Sequence, residues 1–303
     1  MKFFLFADFH FAPGIFRGGD MDALRLFQRR AEEEGCDFMI HLGDYTNNCR
    51  PEHLEMINAY QDFHIPSYHV IGNHEADNAP FEKVLELYRL KSGYYYFDID
   101  GYRIIATDPN YCFDGKEYYH FSMGNYHTRG GERDWLPPEQ IAWLRETIAT
   151  APGPCLIMSH SSYERPDGVR NRDDVRAVID EANRRKPGTV LMCINGHYHR
   201  DYMRILNDVC YYDMTSASFD YMPVTHSLFT EDIMNQYPHA KHTVVFNDPL
   251  HAIVELNGST ITIKGMESSM FQGITREMTG NTPGDEAGRE LRPVVQSAKI
   301  TLG

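Results

Sequence analysis

The chain has 303 residues, of which 42% are hydrophobic and 24% charged, an ordinary globular balance that suits one large domain or two small ones. A formal net charge of −14 repels phosphate backbones and disfavours non-specific nucleic-acid binding. It leaves room for a small anionic substrate wherever bound cations reverse the local sign. The opening run MKFFLFADFHF is too short, and too soon interrupted by Asp8 and His10, for a secretion signal. No run reaches the ~18–20 apolar residues of a membrane span, so a soluble, cytoplasmic protein is expected. Cys36, Cys49, Cys112, Cys155, Cys193 and Cys210 form no CxxC pair and read as reduced thiols.

Residues 2–8 (KFFLFAD) are an apolar run without polar alternation, which predicts a strand buried on both faces. Helical spacing follows over 20–34, with Met21, Leu24, Leu26 and Phe27 ahead of a charged run. A second strand over 37–44 (DFMIHLGD) precedes a helix over 51–63 that carries Leu54, Met56, Ile57 and Tyr60. Residues 67–75 (SYHVIGNHE) predict a third strand, and 94–107 a hairpin turning at Asp100-Gly101. Residues 108–137 show little regular pattern and many aromatics and histidines. They read as a long loop of the kind that forms lids or binding loops. A helix over 138–150, a strand over 154–160, a helix over 171–185 and a strand over 189–197 continue the alternation. Two further hairpins are expected over 202–217, turning at Asn207-Asp208, and over 251–265, turning at Asn257-Gly258. The tail from Met266 is poor in large apolar residues and reads as an arm lying on the domain or partly disordered. The expected division is a domain over 1–265 and an arm over 266–303. Strand and helix alternate, which argues for layered α/β with helices over the sheet faces.

Ligand sites in open α/β sheets gather at the carboxyl ends of strands. Here those ends read Asp8-x-His10, Gly43-Asp44, Gly72-Asn73-His74-Glu75, Ser159-His160 and Gly196-His197-Tyr198-His199. Carboxylate, amide and imidazole donors together suit borderline cations such as Mn, Fe or Zn. The glycines before Asp44, Asn73 and His197 suit sharp turns and close backbone approach. Each fragment alone is common by chance; five in this order, each ending an apolar run, point to a metal site.

The ordered set D-x-H, G-D, G-N-H-E, H and G-H-x-H resembles the calcineurin-like metallophosphoesterase superfamily. The motifs cover about residues 1–200, and the following hairpins extend the likeness to about 265. The resemblance implies a four-layer α/β/β/α sandwich, with two mixed sheets face to face and helices outside. It implies two divalent or trivalent metal ions (Mn, Fe or Zn). One would be held by Asp8, His10, Asp44 and His199, and the other by Asp44, Asn73, His160 and His197, so that Asp44 bridges them. His74 would stand beside the metals. Purple acid phosphatases place a metal-binding tyrosine three residues after the G-D aspartate; Asn47 stands there in this chain, and His10 fills a slot they do not use. The resemblance therefore runs towards the cyclic-nucleotide and glycerophosphodiester phosphodiesterase branch.

On that resemblance the expected reaction is hydrolysis of a small soluble phosphodiester. Two metals about 3.5–4 Å apart clamp the attacking and leaving oxygens, and a bridging hydroxide would attack phosphorus in line. His74 is the expected general acid, and Glu75 either orients it or caps the following helix. Asn47, Arg170 and Arg172 are expected near the substrate. A phosphomonoesterase or nucleotide diphosphatase on the same site is the alternative. A catalytically silent protein-binding scaffold is the alternative from another class, and the complete ligand set argues against it. The tail from Met266 could serve a homo-oligomer.

Overall fold

The structure, a computed structural model, describes residues 1–12, 19–47, 53–221, 228–279 and 290–302. In chain order the elements are β1 (Lys2–Phe6), α1 (Met21–Glu33), β2 (Phe38–His41), α2 (Leu54–Gln61), β3 (Ser67–His69), α3 (Asn73–Asn78), α4 (Phe81–Leu87), β4 (Tyr95–Ile99), β5 (Tyr102–Ala106), β6 (Tyr111–Phe113), β7 (Tyr118–His120), α5 (Tyr126–Arg129), β8 (Glu132–Trp135) and α6 (Pro138–Ala149). The second half adds β9 (Cys155–Ser159), α7 (Arg172–Arg185), β10 (Val190–Asn195), β11 (Tyr202–Leu206), β12 (Val209–Asp213), β13 (Phe219–Tyr221), α8 (Glu231–Gln236), β14 (Thr243–Val245), β15 (Ala252–Asn257), β16 (Thr260–Lys264), β17 (Met266–Glu267), β18 (Val294–Val295) and β19 (Ala298–Thr301).

Side-chain alternation along β1 sets the layering. Phe3 and Leu5 pack between two sheets, against Ile104, Leu156 and Met158. Phe4 and Phe6 face the other way, into Leu24 and Phe27 of α1 and Met56 and Tyr60 of α2. A strand with apolar residues at every position must be covered on both sides, because successive side chains point to opposite faces. The first sheet runs β19-β16-β15-β1-β2-β3, the second β11-β12-β10-β9-β5-β4. In the first, β1, β2 and β3 are parallel and β15 is antiparallel to β1. In the second, β5, β9, β10 and β12 are parallel and β4 and β11 pair antiparallel at the edges. Ile105, Cys155 and Ile157 on the outer face of the second sheet meet Leu144 and Ile148 of α6 and Val175, Val178 and Ile179 of α7. The order is therefore helix, sheet, sheet, helix, as the resemblance implied. The start of α1 is set locally: the Asp20 side chain accepts the Ala23 N–H at 2.8 Å.

Three local expectations are corrected. Residues 108–137 are not a patternless loop: β6, β7 and β8 form a small antiparallel sheet. Phe113 stacks on Tyr118 with ring centroids 4.6 Å apart, and Trp135 packs on Phe113 at 5.5 Å. Strands of three and four residues are too short to show alternation, and the Asp114 carboxylate closes the β6–β7 turn by accepting the Lys116 and Glu117 N–H groups. The run 67–75 is strand only to His69, and Asn73 already opens α3. The last hairpin turns one residue later than expected, because Asn257 still pairs with Thr260. The tail returns as β19, the edge strand beside β16; residues 280–289 lie outside the described part, as does Cys49. The other five cysteines are free and buried. Among the described residues no helix is long and apolar enough to cross a membrane.

Candidate metal centre

The chain turns sharply just beyond the carboxyl ends of β1, β2 and β10, and these turns carry the polar groups. Asp8, His10, Asp44, His197 and His199 have φ of 49°, 51°, 51°, 75° and 57°. This left-handed region is sparsely used by residues other than glycine. It persists where the surroundings over-determine it, and it collects at functional sites. Here the turns hold one another: Asp8 N–H donates to the Gly43 carbonyl at 3.1 Å and His10 N–H to the Asp44 carbonyl at 2.9 Å. The His197 N–H donates to the Asp8 carboxylate at 2.9 Å.

Close approach demands glycine both after β3 and after β10. A Cβ on Gly72 would lie 2.1 Å from Asp44 Oδ1, and one on Gly196 would lie 2.6 Å from Asp8 Oδ2.

The donor atoms converge. His10 Nε2 lies 3.1 Å from His199 Nε2, which lies 3.4 Å from Asp8 Oδ1. His160 Nε2 lies 3.1 Å from Asn73 Oδ1, 3.2 Å from His197 Nδ1 and 3.3 Å from Asp44 Oδ2. Asp44 Oδ2 is also 4.0 Å from His10 Nε2 and 3.8 Å from His74 Nε2. Three overlapping groups could each hold a metal ion: Asp8, His10 and His199; His10, Asp44 and His74; Asp44, His160 and His197. Asp44 is common to two of them.

Backbone carbonyls choose the histidine tautomers. His160 Nδ1–H donates to the Leu42 carbonyl at 2.7 Å, and His199 Nδ1–H to the Phe219 carbonyl at 2.6 Å. Their Nε2 lone pairs are thereby turned towards the centre, the arrangement in which a second contact orients a ligating imidazole. His10 Nδ1 faces Asn47 Oδ1 at 3.4 Å.

The electrostatics suit cations. Burial alone would raise Asp44, but the imidazoles of His160, His74 and His10 hold its carboxyl well below the usual range. Burial would lower His160, yet the Asp44 and Asp8 charges carry it up to about 10. His199 is raised against the same burial, chiefly by Asp8. Burial and the neighbouring His160 push His197 down to about 3. The carboxylates thus draw positive charge onto the rings around them, and a cation could take the place of those protons.

Glu75 is fully enclosed behind this arrangement. Its Oε2 accepts the Asp44 and Gly72 N–H groups at 3.0 and 2.9 Å, and its Oε1 the Thr46 N–H at 3.0 Å and the Tyr88 hydroxyl at 3.2 Å. It therefore caps α3 and ties the Asp44 turn to the Asn73 turn, and no bond to His74 is formed. His74, about a quarter exposed, stands at the rim, with its N–H on Asp44 Oδ1 at 2.9 Å.

The expected site residues divide. The seven proposed ligands, His74 and Asn47 come together. Arg170 is exposed; its N–H donates to the Asp134 carbonyl at 2.7 Å, and Asp134 feels both His160 and Arg170. Arg172 opens α7 and lines a surface cavity with Glu164, Arg176 and Arg204 that holds none of the ligand residues. Three contributors carry no sequence signal. The Leu42 and Phe219 carbonyls are backbone groups that every residue possesses. Tyr221 lies in no motif, yet its ring is 5.0 Å from that of His199.

Residues 1–201 match the family described as calcineurin-like phosphoesterase. No curated protein matches the chain in sequence. Among solved structures, a dimetal phosphatase from Danio rerio is similar at a TM-score of 0.59 and 15% identity, over 90% of this chain and 99% of that one. GAP50, the anchor in the inner membrane complex of Plasmodium, is similar at a TM-score of 0.55 and 12% identity, over all of this chain and 89% of that one. At such identities the likeness is one of fold.

Proposed function

The chain belongs to the calcineurin-like phosphoesterase family, and from that premise we propose that it is a two-metal phosphoester hydrolase, acting as a phosphodiesterase on a small soluble substrate. The observation that carries the reading is the convergence of imidazole and carboxylate groups on Asp44, with His10 Nε2 and His199 Nε2 only 3.1 Å apart and His160 Nε2 3.3 Å from Asp44 Oδ2. Such a set fits cations. In this reading Asp8, His10, Asp44 and His199 hold one ion and Asp44, Asn73, His160 and His197 the other. Manganese, iron and zinc all suit these donors. When bound, the two ions supply Lewis-acid activation and neutralise charge on the phosphoryl group.

The chain's own residues do the rest. Glu75 keeps the Asp44 and Asn73 turns in register, so the two ligand sets share one bridge. Leu42 and Phe219 hold the Nδ1 protons of His160 and His199 away from the centre. His74, at the rim and within 4 Å of Asp44 Oδ2, is placed to give a proton to the leaving alkoxide. The diester preference rests on Asn47: its Oδ1 faces the His10 ring, and a metal-binding tyrosine has no place there. Arg170, on the Asp134 side of His160, is the candidate contact for a charged substrate group.

The test is to load the protein with Mn²⁺ and compare an aryl phosphodiester with the matching monoester, with Asp44→Asn as control and metal content measured on both. Diester turnover lost in the control supports the reading. Monoester preference shifts it to a phosphatase or nucleotide diphosphatase. Two bound ions with neither ester cleaved under Mn²⁺, Fe²⁺ or Zn²⁺ would count against it.

A further inference from the structure

β13 crosses the side of the centre built from Asp8, His10 and His199. Its three residues act differently. The Phe219 carbonyl fixes the His199 ring, as described above. Asp220 is buried and accepts the Arg200 Nε–H at 2.8 Å, anchoring the residue after His199. Tyr221 ends the strand with its ring 5.0 Å from His199, 6.5 Å from His10 and 5.3 Å from Phe219. It is 42% exposed, while Phe219 and Asp220 are almost completely covered.

The Tyr221 hydroxyl makes no hydrogen bond among the described residues. Several tyrosines spend theirs on the fold: Tyr45 on the Met56 carbonyl, Tyr60 on Tyr68, Tyr95 on His69, Tyr163 on Thr107 and Tyr212 on Asp201. Burial, and after it the charges of Asp44 and Asp8, push the Tyr221 hydroxyl up, and its ring lies against those of His199 and His10. A donor with no partner, packed on two ligand rings and open to solvent on one side, is suited to an acceptor that arrives from outside. Asp8 and Asp44 would be committed to cations, leaving the phosphoryl oxygens as the acceptors at that place.

We propose that the Tyr221 hydroxyl donates a hydrogen bond to a non-bridging phosphoryl oxygen of the substrate. This makes Tyr221 a substrate-contacting residue beside the group of Asp8, His10 and His199. The assignment rests on the phosphoester hydrolase reading above. A residue that only covers His199 would act through its ring, whereas one that binds phosphate acts through its oxygen, and Tyr221→Phe separates the two.

The experiment titrates inorganic phosphate calorimetrically into Mn²⁺-loaded wild type, Tyr221→Phe and Tyr221→Leu, with metal content measured on each. Hydrogen bonds to charged acceptors predict that Tyr221→Phe binds phosphate about ten- to a hundredfold more weakly while both ions stay bound. Tyr221→Leu should weaken it at least as much. Wild-type phosphate affinity in Tyr221→Phe overturns the assignment, as does loss of metal from that variant. A wild type that holds two ions but binds no phosphate and cleaves neither ester brings down the hydrolase reading, and this assignment with it. Phosphate binding by wild type, with Tyr221→Phe unchanged, removes the assignment alone.

Discussion

Replacing Glu75 with glutamine tests whether the two ligand turns depend on a shared anchor. The carboxylate takes four donors: Asp44 and Gly72 N–H on Oε2, Thr46 N–H and the Tyr88 hydroxyl on Oε1. An amide has one accepting oxygen. Turned towards Asp44 and Gly72, it keeps those two bonds and sets its NH₂ against the Thr46 N–H; the Tyr88 hydroxyl can rotate to accept. One buried backbone donor is orphaned, at about 1–3 kcal/mol, and the two surviving bonds lose their charged acceptor. A loss of about 2–4 kcal/mol follows, and Glu75→Ala, which orphans three backbone donors, should lose more. Burial and the Asp44 charge push the Glu75 carboxyl up, so the measurement belongs at pH 8. Urea unfolding of the metal-free protein should show a lower midpoint at unchanged slope, and metal titration should show weaker binding of the ions proposed to share Asp44. A loss under about 0.5 kcal/mol with wild-type metal affinity, within the range of ordinary surface changes, would refute the anchoring argument.

Gly72→Ala should cost at least one metal ion, because its Cβ would sit 2.3 Å from the Asp44 nitrogen and would push that turn away; full stoichiometry by metal analysis would contradict this. His74→Ala should reduce turnover by about 10²–10⁴ with both ions retained, and loss of metal would instead place His74 among the ligands. Burial lowers His69 from its ordinary value to about 3. Between that value and about 6.5 the unfolded chain binds a proton that the folded one refuses, so the stabilisation is complete above about pH 6.5 and is lost as pH falls towards 3. His69→Asn should flatten that fall by up to ~1.4 kcal/mol per pH unit, and urea midpoints from pH 4.5 to 7.5 with identical slopes in both proteins would disprove it.

The interior behind the centre is polar as well as aromatic. His41 Nδ1 accepts the Gly43 N–H at 3.1 Å, and its Nε2 meets His69 Nδ1 at 2.6 Å. The Gly43 turn is thereby secured from beneath, just as Glu75 secures Asp44 from the side. Arg165, buried, stacks its guanidinium 3.8 Å over the Tyr198 ring and ties the 161–172 loop to the turn that carries His197 and His199. A centre that gathers carboxylates and imidazoles at short range needs such bracing, since its metal-free form contains repulsion that the fold must restrain.

The residue pattern determined the layering and which polar side chains meet at the strand ends. A strand apolar at every position can only be covered on both faces, and the polar groups ending such runs emerge at the carboxyl ends of the strands, where Asp8, Asp44, His160 and His197 stand. Tertiary structure alone decided which nitrogen of each histidine faces the centre, because Leu42 and Phe219 act through carbonyls that carry no side-chain signature. It also decided that Glu75 braces two turns instead of orienting His74, and that Arg172 lies away from the candidate ligands while Tyr221 packs on the His199 ring. The small sheet of β6, β7 and β8 was hidden for a related reason: strands of three or four residues have no period to read, and only their pairing with one another defines them.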